Sequence, residues 1–133
     1  QADGGSRAAA RCGGYGALHD ALTRLAAQGV TAQHPLTAFC AAVSVGVVRG
    51  EPVLDLPYEE DSTAEVDMNL VMTSEGRFVE VQGTAEGHPF GRDELDRMLA
   101  LGEKGIARII ALQQRAVAEP PPFRPVVAPP AEP

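Results

Sequence analysis

The sequence lacks any run of eighteen apolar residues, so it offers no helix to cross a bilayer. It opens on Gln1 with no signal-like apolar segment. Only two cysteines occur, Cys12 and Cys40, in apolar surroundings and without metal-type spacing. They read as small core residues of a reducing, cytoplasmic compartment, not as a disulfide or a nucleophile. The three histidines, His19, His34 and His88, have no paired spacing, so a histidine metal site has little support. Basic residues are scarce: 11 Lys and Arg stand against 18 Asp and Glu, a formal net charge of −7. Such a chain repels phosphate backbones unless basic groups come from elsewhere. No internal repeat is evident. What remains, 133 residues, suffices for one domain with a core of modest size.

Periodicity supplies the elements. From about Ala8 to Ala27 the apolar residues Cys12, Tyr15, Leu18, Leu22 and Leu25 recur at three and four, predicting a helix with one buried face. Gly13, Gly14 and Gly16 weaken that helix and would suit a close backbone approach, and Gly29 is a plausible stop. Phe39 to Val48 is a near-continuous small and apolar run, the pattern of a strand buried on both faces. A turn at Arg49-Gly50-Glu51 leads to a second strand, Pro52 to Leu56. After an acidic segment with a helical turn expected near Ser62 to Glu65, strands are predicted over Asp67–Thr73 and Arg77–Gln82, joined at Ser74-Glu75-Gly76. Arg92 to Ala118 is a long amphipathic helix of about 40 Å. Its expected inward residues are Leu95, Met98, Leu99, Ile106, Ile109, Ile110 and Val117. Helix, hairpin, hairpin, helix is an α+β layer architecture. From Glu119 to Pro133 the chain holds seven of its eleven prolines, so an extended, disordered tail is expected.

Two segments could carry chemistry. Between Asp55 and Asp67 six carboxylates fall within thirteen residues, bracketed by apolar strand-like sequence. Carboxylates held together repel unless a cation or a proton relieves them, so the cluster is a candidate for a divalent ion or acid chemistry. The plain alternative is a polar turn between strands. Asp67 reads either as a turn acceptor or as a further ligand, Glu59 and Glu60 read as solvated, and Glu80 and Glu86 have no derivable role. The second segment is Gly4-Gly5-Ser6-Arg7 before the first helix. It places backbone N–H groups, a hydroxyl and a guanidinium at a positive helix end, which suits an oxyanion. It lacks the lysine and spacing of a P-loop. Arg7 could equally be an ordinary helix-start residue. An anion loop together with a carboxylate site is what phosphoryl chemistry needs.

Four stretches together resemble ribonuclease PH. They are residues 1–7 (Gln1-Ala2-Asp3-Gly4-Gly5-Ser6-Arg7), 54–62 (Leu54-Asp55-Leu56-Pro57-Tyr58-Glu59-Glu60-Asp61-Ser62), 64–69 (Ala64-Glu65-Val66-Asp67-Met68-Asn69) and 78–87, which begins Phe78-Val79-Glu80-Val81. The resemblance runs from Gln1 to about Val117 and covers the C-terminal half of the family, so residues 1–118 are expected to be the C-terminal part of such a domain. It implies the ribosomal-protein-S5-domain-2-like α+β fold and a phosphate-dependent 3′-to-5′ exoribonuclease, a tRNA nucleotidyltransferase that trims precursor tRNA and releases nucleoside diphosphate. It further implies a phosphate loop at Gly5, Ser6 and Arg7, a catalytic acidic pair at Asp55 and Asp61 with Mg²⁺ as the expected ion, and a hexameric ring of dimers. Ser6 stands where the family has threonine, and Pro57 where an aspartate is common. The other half would supply further strands, another phosphate-contacting arginine and basic residues for RNA. Pro57 and that missing half point to the alternative, a non-catalytic structural subunit of an exosome-like RNA-processing ring. An unrelated metal-dependent phosphohydrolase is a weaker third reading.

Overall fold

A computed structural model describes residues 5–31, 34–57 and 63–119. Six elements follow in chain order: α1 (Ser6–Ala27), β1 (Cys40–Val48), β2 (Glu51–Leu54), β3 (Val66–Thr73), β4 (Phe78–Ala85) and α2 (Arg92–Ala118). The strands form one antiparallel sheet in the order β2-β1-β3-β4, two hairpins joined through the central β1–β3 pair. This is the α+β hairpin arrangement expected from the sequence. The expected helical turn near Ser62 is not seen at Thr63, Ala64 and Glu65, and Ser62 lies outside the described residues. The proline-rich segment lies outside them from residue 120 onward. Among the described residues no helix is long and apolar enough to cross a membrane.

β1 is buried from Ala41 to Val47, as its continuous apolar run requires. Ala41, Val43, Val45 and Val47 lie opposite Met72, Leu70, Met68 and Val66, and this patch packs on Met98, Ile106 and Ile110 of α2. A smaller cluster joins Ala42 and Val71 to Ala8 of α1. Of the inward α2 residues read from periodicity, Leu95, Leu99, Ile109 and Val117 are only half-buried. Gly102, Gly105 and Gln113 are buried instead. A Cβ on Gly102 would stand 2.2 Å from Leu70 Cδ1, and one on Gly105 would stand 2.8 Å from Leu54 Cδ2. These two glycines let α2 lie against the sheet at side-chain distance.

The α1 expectation needs correcting. Ala8 is its one buried residue, and Leu18 and Leu25 are exposed. A Cβ on Gly13, Gly14 or Gly16 would meet nothing within 4 Å, so no backbone approaches there. The cause is geometric: α1 meets the sheet through its first turns and runs on past it, so periodicity alone overstated the packed face. Its end is as read, with Gly29 at φ 74° following Gln28.

α1 docks where β2 gives out. β2 pairs only with Val45–Val48, leaving the first half of β1 with an open backbone edge. Side chains close it. The Cys12 thiol donates to the Ala42 carbonyl and receives the Ala42 N–H, both at 3.4 Å. Gln113 Nε2 donates to the carbonyls of Cys40 (3.1 Å) and Cys12 (3.2 Å). Satisfying buried backbone groups by side chains is the usual alternative to a ladder partner. Although the histidines have no paired spacing in the sequence, His19 and His34 come together with ring centroids 4.6 Å apart and planes tilted by 35°, and Thr23 Oγ1 lies 3.5 Å and 3.2 Å from a nitrogen of each.

Candidate functional site

The site grows from the last residue of the closed β1 edge. Ser44 is the polar residue inside the buried run of β1, and its carbonyl accepts the Asp55 N–H at 2.9 Å. β2 ends at Leu54, and Asp55 then takes φ 60°, a left-handed conformation that aspartate adopts more readily than most side chains. The reversal turns the chain so that Leu56, 1% exposed, folds back over Gly46. A Cβ there would sit 2.7 Å from Leu56 Cδ1 and 2.6 Å from the Val66 carbonyl oxygen. Anchored on both sides by Leu54 and Leu56, Asp55 is left exposed at the strand end.

Gly5 meets it from the other direction. It is the N-cap of α1 at φ 72°, and without a side chain it gives no capping hydrogen bond. A Cβ on Gly5 would stand 3.1 Å from Asp55 Oδ1 and 3.5 Å from Ser44 Oγ. The first helical bond runs from the Ala9 N–H to the Gly5 carbonyl at 3.0 Å. The start of α1, the positive end of the helix, thus lies beside the carboxylate of Asp55. Arg7 is exposed in the first turn and has no ion pair among the described residues.

Of the residues singled out from the sequence, the fold thus brings Gly5, which Ser6 and Arg7 follow in the chain, to Asp55, fifty positions along the chain. Asp61 lies outside the described residues, as do Glu59 and Glu60. Among the described residues no three His, Cys, Asp or Glu side chains gather as a metal cage. Asp55 offers an oxygen donor of the kind Mg²⁺ takes, but alone it is one ligand.

Two residues of the site were not read from the sequence. Ser44 is 5% exposed and its Oγ has no hydrogen-bond partner among the described residues. Arg108 of α2 lines a cleft of about 530 Å³ that also touches Gly5, Ala8, Leu54 and Asp55. Arg108 has no ion pair among the described residues either, so two cations, Arg7 and Arg108, stand free near an anion-favouring helix end. A lone serine in an apolar run was a visible signal; Arg108 looked like any residue on the polar side of an amphipathic helix.

Comparison with known proteins bears on this geometry. Residues 38–105 match the family model for domain 2 of the 3′ exoribonuclease family. The chain belongs to that family. The matched span holds the whole sheet, Ser44, Asp55 and the first half of α2. Among solved structures, that of rice (Oryza sativa) Rrp46 is similar at a TM-score of 0.56 and 16% identity, over 77% of this chain and 46% of that one. At that identity the likeness speaks to the fold, a ribonuclease PH C-terminal domain. The chain spans less than half the length of that relative.

Proposed function

We propose that the intact protein carrying this chain is a phosphorolytic 3′-to-5′ exoribonuclease acting on tRNA precursors and other RNA 3′ ends, working as a hexameric ring of dimers. The observation that carries this reading is the meeting of Gly5, the N-terminal residue of the α1 anion loop, with Asp55. In this reading inorganic phosphate is held by backbone N–H groups at the start of α1, by Ser6 and by the Arg7 guanidinium, a charge-assisted site. A phosphate oxygen attacks the terminal phosphodiester, the bond to the 3′ oxygen of the preceding nucleotide breaks, and nucleoside 5′-diphosphate leaves. Asp55 stands beside the bound anion, where it takes up the proton that the attacking phosphate gives up and returns it to the departing 3′ oxygen, leaving a 3′-hydroxyl on the shortened RNA. Mg²⁺, when bound, would be held by Asp55 together with Asp61 and would offset charge on the transferred phosphoryl group. The steps assigned to this chain's residues do not depend on it.

The test is chromatographic. A 3′-extended RNA is incubated with and without phosphate, and the released nucleotide is identified. Diphosphate release that requires phosphate supports the reading; monophosphate release without added phosphate overturns it in favour of a hydrolase. The second reading, a non-catalytic subunit of an exosome-like ring, is favoured by Pro57, which follows buried Leu56 and stiffens the chain just after Asp55. It predicts ring assembly and RNA binding with no nucleotide released under either condition.

A further inference from the structure

We propose that Ser44 is a positioning residue for Asp55, its hydroxyl donating to the Asp55 carboxylate when the site is loaded. This inference rests on the phosphorolytic reading and adds a residue to it. Ser44 Oγ is buried and unpartnered among the described residues. A buried hydroxyl without a partner is unfavourable relative to alanine, and β1 accepts alanine at the neighbouring buried positions Ala41 and Ala42. The polar atom therefore needs a reason outside packing.

Its surroundings supply one. The Asp55 N–H bonds the Ser44 carbonyl at 2.9 Å, which fixes the two backbones side by side. Asp55 Oδ1 and Ser44 Oγ lie 3.1 Å and 3.5 Å from a single point, the place a Gly5 Cβ would occupy. Because Gly5 has no side chain, that space stays open between the two groups. Asp55 is exposed and its carboxylate has solvent on its outer side. A turn about its side-chain torsions would bring a carboxylate oxygen toward the Ser44 hydroxyl across that space. Ser44 would then hold Asp55 in one orientation toward the bound phosphate without touching phosphate or RNA.

The experiment uses the intact protein, with single-turnover RNA shortening so that slow variants stay readable. Ser44→Ala is expected to lower kcat about tenfold with both KM values within about twofold of the parent, the signature of lost orientation rather than lost binding. Ser44→Thr, which keeps the hydroxyl, should recover most of the rate while melting with the parent. In an Asp55→Asn background, Ser44→Ala should cost less than about twofold more, because the proton-accepting carboxylate that Ser44 orients is already gone. Parental kcat in Ser44→Ala overturns the inference. So does a raised phosphate KM at unchanged kcat, or a full additive loss in the Asp55→Asn background. If Asp55→Asn itself shortens RNA at the parental rate, the phosphorolytic reading fails and this inference with it. An inactive Asp55→Asn beside a fully active Ser44→Ala fails this inference alone.

Discussion

Asp55 owes its place to backbone conformation at two residues distant in sequence, its own φ of 60° and the φ of 72° at Gly5. At this scale the site predicts separable defects. Asp55→Asn should lower RNA shortening by about a hundredfold or more while leaving assembly unchanged, since an exposed carboxylate is removed at nearly constant volume. Size-exclusion profiles and turnover measured on the same preparation check both halves. Arg7→Ala should raise the phosphate KM about tenfold and change RNA affinity little, and Arg7→Lys should recover only part, because lysine keeps the charge without the planar fork. Equal losses of phosphate and RNA binding would mean that Arg7 serves the polymer instead. The thiol of Cys40 predicts a pH response. Burial pushes its pKa up, the neighbouring Cys12 adds to this and Arg11 opposes it; Tyr15 is also raised, by burial and then by Cys40. A raised folded pKa means the unfolded chain ionises first. Stability is therefore full below the ordinary thiol value of 9.0 and declines as pH climbs through the raised ones. Both groups are substantially solvated, so the decline is modest. Urea midpoints at pH 7.5 and pH 10 measure it, and Cys40→Ala should flatten part of the slope. Gly5, Ser6, Arg7 and Asp55 were singled out by the glycine turn before a helix, the acidic cluster after a strand and the resemblance to ribonuclease PH, and the structure adds that Gly5 meets Asp55. Arg108 gave no signal, since nothing local says which side of a helix meets a site built from distant residues, whereas the lone serine in the apolar run of β1 was a signal that went unused.

At the scale of elements, the glycines separate what periodicity shows from what packing decides. The sequence marked Gly13, Gly14 and Gly16 as the place for a close approach, but the approach occurs at Gly102 and Gly105. Helical glycines look alike in sequence, and only the position of Leu70 and Leu54 on the sheet distinguishes them. The two sets predict opposite signs. Gly13→Ala meets open space and should stabilise by up to about 1 kcal/mol through helix propensity. Gly102→Ala drives a methyl to 2.2 Å from Leu70 Cδ1 and should destabilise by about 1–3 kcal/mol. Denaturant melts of the two variants check this, and a stabilised Gly102→Ala would show that α2 can slide off the sheet at little cost. The two hairpins, turning at Arg49-Gly50 and Ser74-Glu75-Gly76, were read correctly, while the central β1–β3 pairing that joins them was not predicted. The early end of β2 was not, because Asp55 leaves the ladder through its backbone conformation and not through a breaker residue.

The whole molecule has a packed interior on one side and unsatisfied surface on the other. α2 covers the β1–β3 patch, yet Phe78, Val79 and Val81 of β4 are 45%, 63% and 49% exposed, and β4 is an edge of the described sheet. Leu18 and Leu25 of α1 add apolar surface, at 50% and 38% exposure. An edge strand with exposed valines offers unpaired N–H and C=O groups and apolar side chains together, the combination that templates pairing with another chain. The formal charge of −7 opposes association only weakly at physiological salt, where repulsion beyond about 8 Å is screened. The 133-residue chain alone should therefore associate in a concentration-dependent way. Val79→Lys should reduce that association, because it places a charge on the most exposed apolar side chain of the edge. It should leave the melting temperature nearly unchanged, since that side chain contributes little to the interior. Sedimentation velocity over a tenfold or wider concentration range reads the first effect, and thermal melts of parent and variant read the second. A parent that sediments as a 13.9 kDa monomer throughout would show that the β4 edge is not adhesive. A variant that associates as strongly as the parent would move the contact to the Leu18 and Leu25 face of α1.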